Sequence, residues 1–324
     1  MKKVLGMGNA LVDILVSLPD ESALAQLGLA KGSMQLVDAS FSERVLSRMI
    51  GFNMVQQSGG SASNTVHGLS ALGVPCSFVG KVGDDEFGTV FERNMVAHGV
   101  LPHLFHGELP TGRAIALISP DSERTFATYL GSAVTLTADE LSADLFRGFD
   151  LFHVEGYLTQ DHCLIERSLQ LAHELGLMIS FDLASFNVVA ENLGFLQEMV
   201  AQYVDILFAN EEEARSFTGL EARQAVENIG RLCECAVVKT GRNGSLIAND
   251  GNIIEVPAKT VRPVDTTGAG DLYAAGFLYG FVNGMPLEKC GRIGTIAASS
   301  VIEIIGAKLP AERWSTIKEE ISRI

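Results

Sequence analysis

Short, almost wholly apolar runs recur along the chain, and longer amphipathic stretches separate them. Val4–Gly8, Ser77–Gly80, Leu151–Val154, Met178–Asp182, Asp205–Ala209 and Ala236–Lys239 have the length and continuity of strands buried on both faces. Between them, Ala62–Leu72, Asp85–His98, His162–Leu175, Asn187–Tyr203 and Glu211–Cys233 carry helical spacing of apolar positions. Strand–helix alternation of this kind predicts an α/β fold, with a parallel sheet covered by helices on both sides. Ala269–Val282, Leu287–Ile304 and Pro310–Ile324 close the chain as three successive helices.

Two segments depart from that rhythm. Ile14–Ser17 and Met34–Val37 are strand-like pieces around a short helix. Arg113–Ser119 and Arg124–Leu130 form a predicted hairpin around Pro120-Asp121-Ser122-Glu123. Together, residues about 14–38 and 104–130 are expected to make a small β lid over the main sheet. No repeat, linker or low-complexity tract interrupts the chain, so residues 1–324 are taken as a single domain.

Composition narrows the partners. With 47% hydrophobic and 19% charged residues the chain has ample apolar mass for a core. The net charge of −15, with no basic run, argues against nucleic acid and against an anionic membrane surface. Any anionic substrate must therefore be held by local backbone N–H groups and a few cations. The five cysteines include no Cys-x-x-Cys pair and fit reduced thiols in a cytoplasmic protein. The N-terminus lacks an unbroken apolar core of a signal peptide. Leu272–Leu287 falls short of the roughly 20 residues that span a bilayer, and glycines interrupt it, so it is assigned to a buried core helix.

The chemistry concentrates in Asp265-Thr-Thr-Gly-Ala-Gly-Asp271. Gly268, Ala269 and Gly270 are small enough to let backbone approach an anion. They stand where a helix begins, so free N–H groups and the positive end of the helix dipole face that anion. Asp271 follows in the first turn, placed to accept a hydroxyl proton. Without further context, the same run is also a plain Gly-rich turn with a first-turn acid.

This run resembles the C-terminal signature of the PfkB, or ribokinase-like, carbohydrate kinases. Ser58-Gly-Gly-Ser-Ala-Ser-Asn64, continuing to Val79-Gly-Lys-Val-Gly-Asp-Asp-Glu-Phe-Gly88, resembles their N-terminal signature. Within the family, Gly8-Asn-Ala-Leu-Val-Asp13, Tyr203–Glu213 and Arg124 are similar to adenosine kinases. The resemblance implies a three-layer α/β/α sandwich with a mainly parallel sheet and a β lid. It implies ATP and Mg²⁺, and a sugar or nucleoside acceptor. By position, Asp271 is the base, and Gly268, Ala269 and Gly270 form the anion hole. Asp13, Gly60 and Asn64, with Asn9 beside them, hold the acceptor's hydroxyls. Asn210 and Glu213 organise Mg²⁺ through water, while Lys239, Gly241 and Gly244 lie along the nucleotide. Arg124 steers the transferring phosphate from the lid. Asp265 and Thr267 match a K⁺ site, but Gly306-Ala-Lys-Leu-Pro310 lacks the serine of ribokinase itself.

Several of these positions have ordinary structural uses too. Asp13 suits an exposed turn, Asn64 a first helical turn, Glu211–Glu213 a solvated helix start, Lys239-Thr-Gly a strand-end turn, and Arg124 a simple ion pair. Other patterns carry less. Gly6-x-Gly8 lacks the third glycine of a dinucleotide fingerprint, so an NAD-linked dehydrogenase is only a third option. His98, His103 and His106 are read as surface histidines of a loop. Phe105, Phe126, Tyr157 and Phe186 are candidates to stack on a base.

The expected reaction is ATP-dependent phosphorylation of a primary hydroxyl, with adenosine the favoured acceptor. A ribokinase or fructokinase activity and a catalytically silent binding protein on the same fold are the alternatives. The protein is expected to be a monomer or a homodimer joined through a lid edge.

Overall fold

A computed structural model describes residues 2–121 and 123–324; Met1, and Ser122 in the predicted hairpin turn, lie outside the described residues. The strands run in chain order as β1 (Val4–Met7), β2 (Leu11–Ser17), β3 (Met34–Leu36), β4 (Met54–Gly59), β5 (Cys76–Gly83), β6 (Val100–Gly107), β7 (Gly112–Ile118), β8 (Arg124–Tyr129), β9 (Leu151–Glu155), β10 (Met178–Asp182), β11 (Ile206–Asn210), β12 (Cys235–Lys239), β13 (Ser245–Asn249) and β14 (Asn252–Val256).

Nine of them form one sheet in the order β14-β13-β12-β11-β10-β9-β1-β5-β6. From β12 to β6 every pairing is parallel, and β13 and β14 close one edge antiparallel. Successive side chains leave opposite faces of a strand. Thus Ile206 and Phe208 of β11 enter one core with Cys235 and Val237 of β12. Leu207 and Ala209 enter the other core with Ala236 and Val238. Helices Ser61–Leu72, Glu86–Ala97 and Ala269–Val282 supply the first core; His162–Glu174, Leu193–Tyr203 and Ala222–Ile229 supply the second. The result is helix, sheet, helix in three layers, the architecture that near-continuous apolar strands demand.

The remaining five strands make a second sheet in the order β3-β8-β7-β2-β4. Its inner residues Val12, Ile14, Val16, Ile115 and Leu117 join the first core. Its edges leave Met34, Leu36, Met54 and Val55 exposed.

Several boundaries differ from the sequence expectation. Residues 104–107 belong to β6, which pairs with Lys81–Gly83 and its neighbours in the large sheet, so the small sheet excludes them. The small sheet instead includes all of β2 and the unpredicted β4. Both β4 and β6 are edge strands rich in polar residues, which hides the apolar signal. His103 and His106 therefore stand on a strand; His106 pairs with Asp84 at 2.6 Å on the surface. Glu211–Cys233 is two helices, because Gly219 takes a left-handed φ of 74° and ends the first at Thr218. Asn187–Tyr203 also divides, at Asn192. The helix over Ala269–Val282 is buried along most of its length, and no described helix is long and apolar enough to cross a membrane.

Candidate active site

Four adjacent parallel strands each end on a polar residue: Glu155 on β9, Asp182 on β10, Asn210 on β11 and Lys239 on β12; before it they are apolar except for His153 and Ser180, which pair with each other at 3.0 Å. The register aligns Asp182 with Glu155 and Asn210 with Lys239. The carboxyl ends of the strands thus carry a row of polar groups, at the edge where open parallel sheets bind ligands. β1 delivers Gly8 and Asn9 to the same edge.

These groups hold one another. Lys239 Nζ lies 2.9 Å from Asp182 Oδ2. Burial opposes the Lys239 charge, but Asp182 and Glu213 outweigh it and hold its pKa above the ordinary lysine value. Glu155 accepts from the Asn9 N–H at 2.9 Å, Asn9 Nδ2 at 3.0 Å and the Ala62 N–H at 2.7 Å. Burial nevertheless pushes Glu155 up to about 7. The space a side chain at Gly8 would need is filled by the Glu155 carboxylate.

Asp271 sits across this row, in the first turn of Ala269–Val282. Gly268 starts that helix at φ 74°, and a Cβ there would lie 2.6 Å from Ala307 Cβ, so a side chain is excluded twice. The Ala269 N–H turns back to Thr266 O at 3.2 Å; those of Gly268, Gly270 and Asp271 have no backbone partner among the described residues. A Cβ on Gly270 would lie 3.2 Å from Lys239 Nζ, so this turn closely approaches the strand-end lysine. Open N–H groups, a helix N-terminus and an ammonium converge on one point, which suits an anion.

The Asp271 carboxylate is fully oriented. Ser61 Oγ donates to Oδ1 at 2.7 Å and Asn64 Nδ2 to Oδ2 at 2.9 Å. Thr65 Oγ1 secures the backbone carbonyl at 3.2 Å. Burial is the main influence and raises Asp271 to about 6 despite those donors. A base that ionises near neutrality and points in one direction is what proton abstraction requires.

The small sheet brings Asp13, on β2, to the opposite wall. Burial drives it up to about 7; the Lys308 charge acts against that shift and Asp271 adds to it. No described residue donates a hydrogen bond to its carboxylate, although Gly59 leaves it room and any Gly59 side chain would collide with it. Gly60, at φ 95°, lies against the Asn9 carbonyl, where a Cβ has no space. Asn9 and Asn64 each spend the amide N–H₂ on a carboxylate, and each retains a buried Oδ1 without a partner.

Arg124 opens β8 of the small sheet but binds the turn before Asp271. Its guanidinium pairs with Asp265 and donates to Thr267 Oγ1 at 2.9 Å. Asp265 also accepts the Thr267 N–H at 2.9 Å and the Gly306 N–H at 2.7 Å. The sequence reading of Asp265 and Thr267 as a K⁺ site does not fit this donor set, because a guanidinium already neutralises the carboxylate and occupies the threonine hydroxyl. Arg124 itself is engaged by Asp265 and Thr267, and its Nη2 is buried with no partner.

Asn210 and Glu213 form a reciprocal helix cap. The Glu213 N–H donates to Asn210 Oδ1 at 2.9 Å, and Glu213 accepts from the Asn210 N–H and Nδ2 at 2.7 and 2.6 Å. Burial raises Glu213 to about 7, with Lys239 countering and Asp182 reinforcing. No group of three His, Cys, Asp or Glu residues that could hold a metal stands among the described residues. An ion that keeps most of its water and binds phosphate oxygens, such as Mg²⁺, still fits one or two carboxylates here. Gly241 and Gly244 shape the loop after Lys239; Gly244 at φ 100° sits on the Val256 carbonyl, a structural requirement.

Sequence reasoning missed Glu155, Asp182 and Ser61. A single acid ending an apolar strand was the available signal for the first two. Among the aromatic candidates, Tyr157 lies in the fields of Glu155 and Asp271, beside the site, and Phe186 is exposed. Phe105, on β6, is half-buried and packs against the second core, and Phe126 lies half-buried on β8.

The sequence model described as "pfkB family carbohydrate kinase" matches residues 28–314. The adenosine kinase of Sinorhizobium meliloti is 35% identical, with a TM-score of 0.87 over 98% of this chain and 99% of that one. A probable sugar kinase from Rhizobium etli is 34% identical, with a TM-score of 0.88 over 100% and 99%. Adenosine kinase 1 of Arabidopsis thaliana is 26% identical over 95% of this chain and 96% of its own.

Proposed function

This chain belongs to the pfkB family of carbohydrate kinases and is an ATP-dependent sugar or nucleoside kinase, and we propose that it phosphorylates the primary hydroxyl of a ribose-bearing acceptor, adenosine first among them. One observation carries the reading. A buried carboxylate with both oxygens oriented, Asp271, stands beside a helix start with open N–H groups.

In this reading Asp271 takes the proton of the acceptor's primary hydroxyl as that oxygen attacks the γ-phosphorus of ATP, and ADP leaves. The N–H groups of Gly268 and Gly270, with that of Asp271, hold the charge on the transferring group, and Ala269 shapes the turn. Lys239, Gly241 and Gly244 line the nucleotide, with Lys239 held by Asp182. Asn210 and Glu213 hold a divalent ion through water; when bound, Mg²⁺ neutralises charge on the phosphates. Asp13, Gly60, Asn64 and Asn9 receive the acceptor's ring hydroxyls, because a carboxylate and carboxamide oxygens offer matched acceptors. Arg124 ties the small sheet to the Asp265 turn and places a guanidinium near the phosphoryl path; the small sheet acts as a lid that excludes water.

Adenosine is favoured because relatives of high coverage are named adenosine kinases and Tyr157 lies in the fields of Glu155 and Asp271. A ribokinase or fructokinase activity is the second reading, favoured by the equally similar probable sugar kinase. A coupled ADP-release screen over adenosine, other nucleosides, ribose and fructose separates them. Adenosine should give the highest kcat/KM. Preference for a free sugar would replace the acceptor, and silence with every acceptor would favour a binding protein on this fold.

A further inference from the structure

Lys308 is not used by the site as described so far, and its position is unusual for a lysine. It follows the last long helix of the core, Leu287–Val301, in a segment whose backbone is fixed. The Gly306 N–H donates to Asp265, Ala307 packs on Gly268, and Leu309 joins a core cluster with Leu272 and Trp314. The Lys308 ammonium is shut off from solvent and makes no hydrogen bond with any described residue. Burial lowers its pKa to about 8, opposed by the charges of Asp13 and then Asp271. It also bears on His67 of the helix Ser61–Leu72.

A buried ammonium without a partner is costly, and proteins seldom leave one in place. The segment before Lys308 meets the wall that carries Asp13: a Cβ on Gly306 would lie 3.2 Å from Gln57 Nε2 and from Leu15 Cδ1, and Gln57 is the register partner of Asp13 on β2. Asp13 accepts no hydrogen bond from a described residue, and Asn9 and Asn64 each keep a buried Oδ1 without a partner. A hydroxyl group satisfies both kinds of vacancy at once, since it donates one hydrogen bond and accepts others.

We propose that Lys308 is a substrate-contacting specificity residue, whose ammonium donates to the acceptor ring hydroxyl that itself donates to Asp13. The inference rests on the kinase reading above and adds to it a named donor for the hydroxyl. It assigns the site to acceptors with a free ring hydroxyl at that position, and against their deoxy counterparts.

The test uses the full-length enzyme and the acceptor found most active in the screen, taken here as adenosine, beside its 2′-deoxy and 3′-deoxy analogues. Absence of turnover by the unmodified enzyme sinks the kinase reading itself and is seen before any variant is made. In Lys308→Met the KM for adenosine should rise about tenfold or more, as for loss of a charge-assisted hydrogen bond. The KM for ATP should stay unchanged. One of the two deoxy analogues should show little further loss, because its partner hydroxyl is already gone. Lys308→Arg keeps the charge and should recover part of the adenosine KM, which also guards against misfolding of the methionine variant. An unchanged adenosine KM, or an equal penalty on adenosine and both deoxy analogues, would overturn the proposal.

Discussion

Asp271 and Asp13 are carboxylates that burial lifts above the ordinary aspartate range, to about 6 and about 7, yet their surroundings are opposite. Asp271 belongs to a core helix, and Ser61 and Asn64 occupy its two oxygens at 2.7 and 2.9 Å. Asp13 belongs to the small sheet and accepts no hydrogen bond from a described residue. The first is positioned by the fold before any substrate arrives. The second is left for a ligand to complete. In the proposed reading, that difference suits Asp271 to take a reacting proton and Asp13 to recognise a hydroxyl.

Substitution should break the contrast unequally. Asp271→Ala removes the base, and turnover should fall by about 10²- to 10⁴-fold. ATP binding, followed by titration calorimetry, should survive because the nucleotide side is built from other residues. Near-normal turnover in this variant would remove Asp271 from the chemistry. Asp13→Asn keeps the shape and removes one charged acceptor. The loss of a charge-assisted hydrogen bond, about 1.5–3 kcal/mol, should appear as a rise in acceptor KM of about 10- to 100-fold with kcat less affected. If kcat falls as far as in Asp271→Ala while KM holds, Asp13 takes part in the chemical step and the contrast fails.

The large sheet was legible in the sequence because seven of its strands are parallel and those at its centre are apolar on both faces. Taken alone also a plain Gly-rich turn with a first-turn acid, the run Asp265–Asp271 was legible through its resemblance to the family's C-terminal signature. The edges were not. β4 runs into Gln56, Gln57 and Ser58, and Pro102, His103 and His106 interrupt β6, so neither shows a strand period. Part of the site was hidden for a different reason. Glu155 and Asp182 matter through their register with neighbouring strands, and only pairing reveals that they end side by side. Lys308 drew no role from the sequence, since the groups whose charges act on it, Asp13 and Asp271, are distant in the chain. Arg124 was singled out from the sequence as a phosphate guide. Its pairing with Asp265 and Thr267 joins the small sheet to the turn before Asp271 through one guanidinium, a contact the sequence did not predict.

The central claim is that Asp271 acts as the base, and the pH dependence of a single turnover tests it most directly. Its pKa is raised from the ordinary aspartate value to about 6, so the ionised, proton-accepting form dominates above that pH and is lost below it. With ATP and acceptor both saturating, the single-turnover rate should be flat above about pH 7. It should fall roughly tenfold for each unit below 6, and the residual rate of Asp271→Ala should lack this inflection. A rate unchanged between about pH 5 and 8, or an inflection that persists in Asp271→Ala, would contradict the assignment.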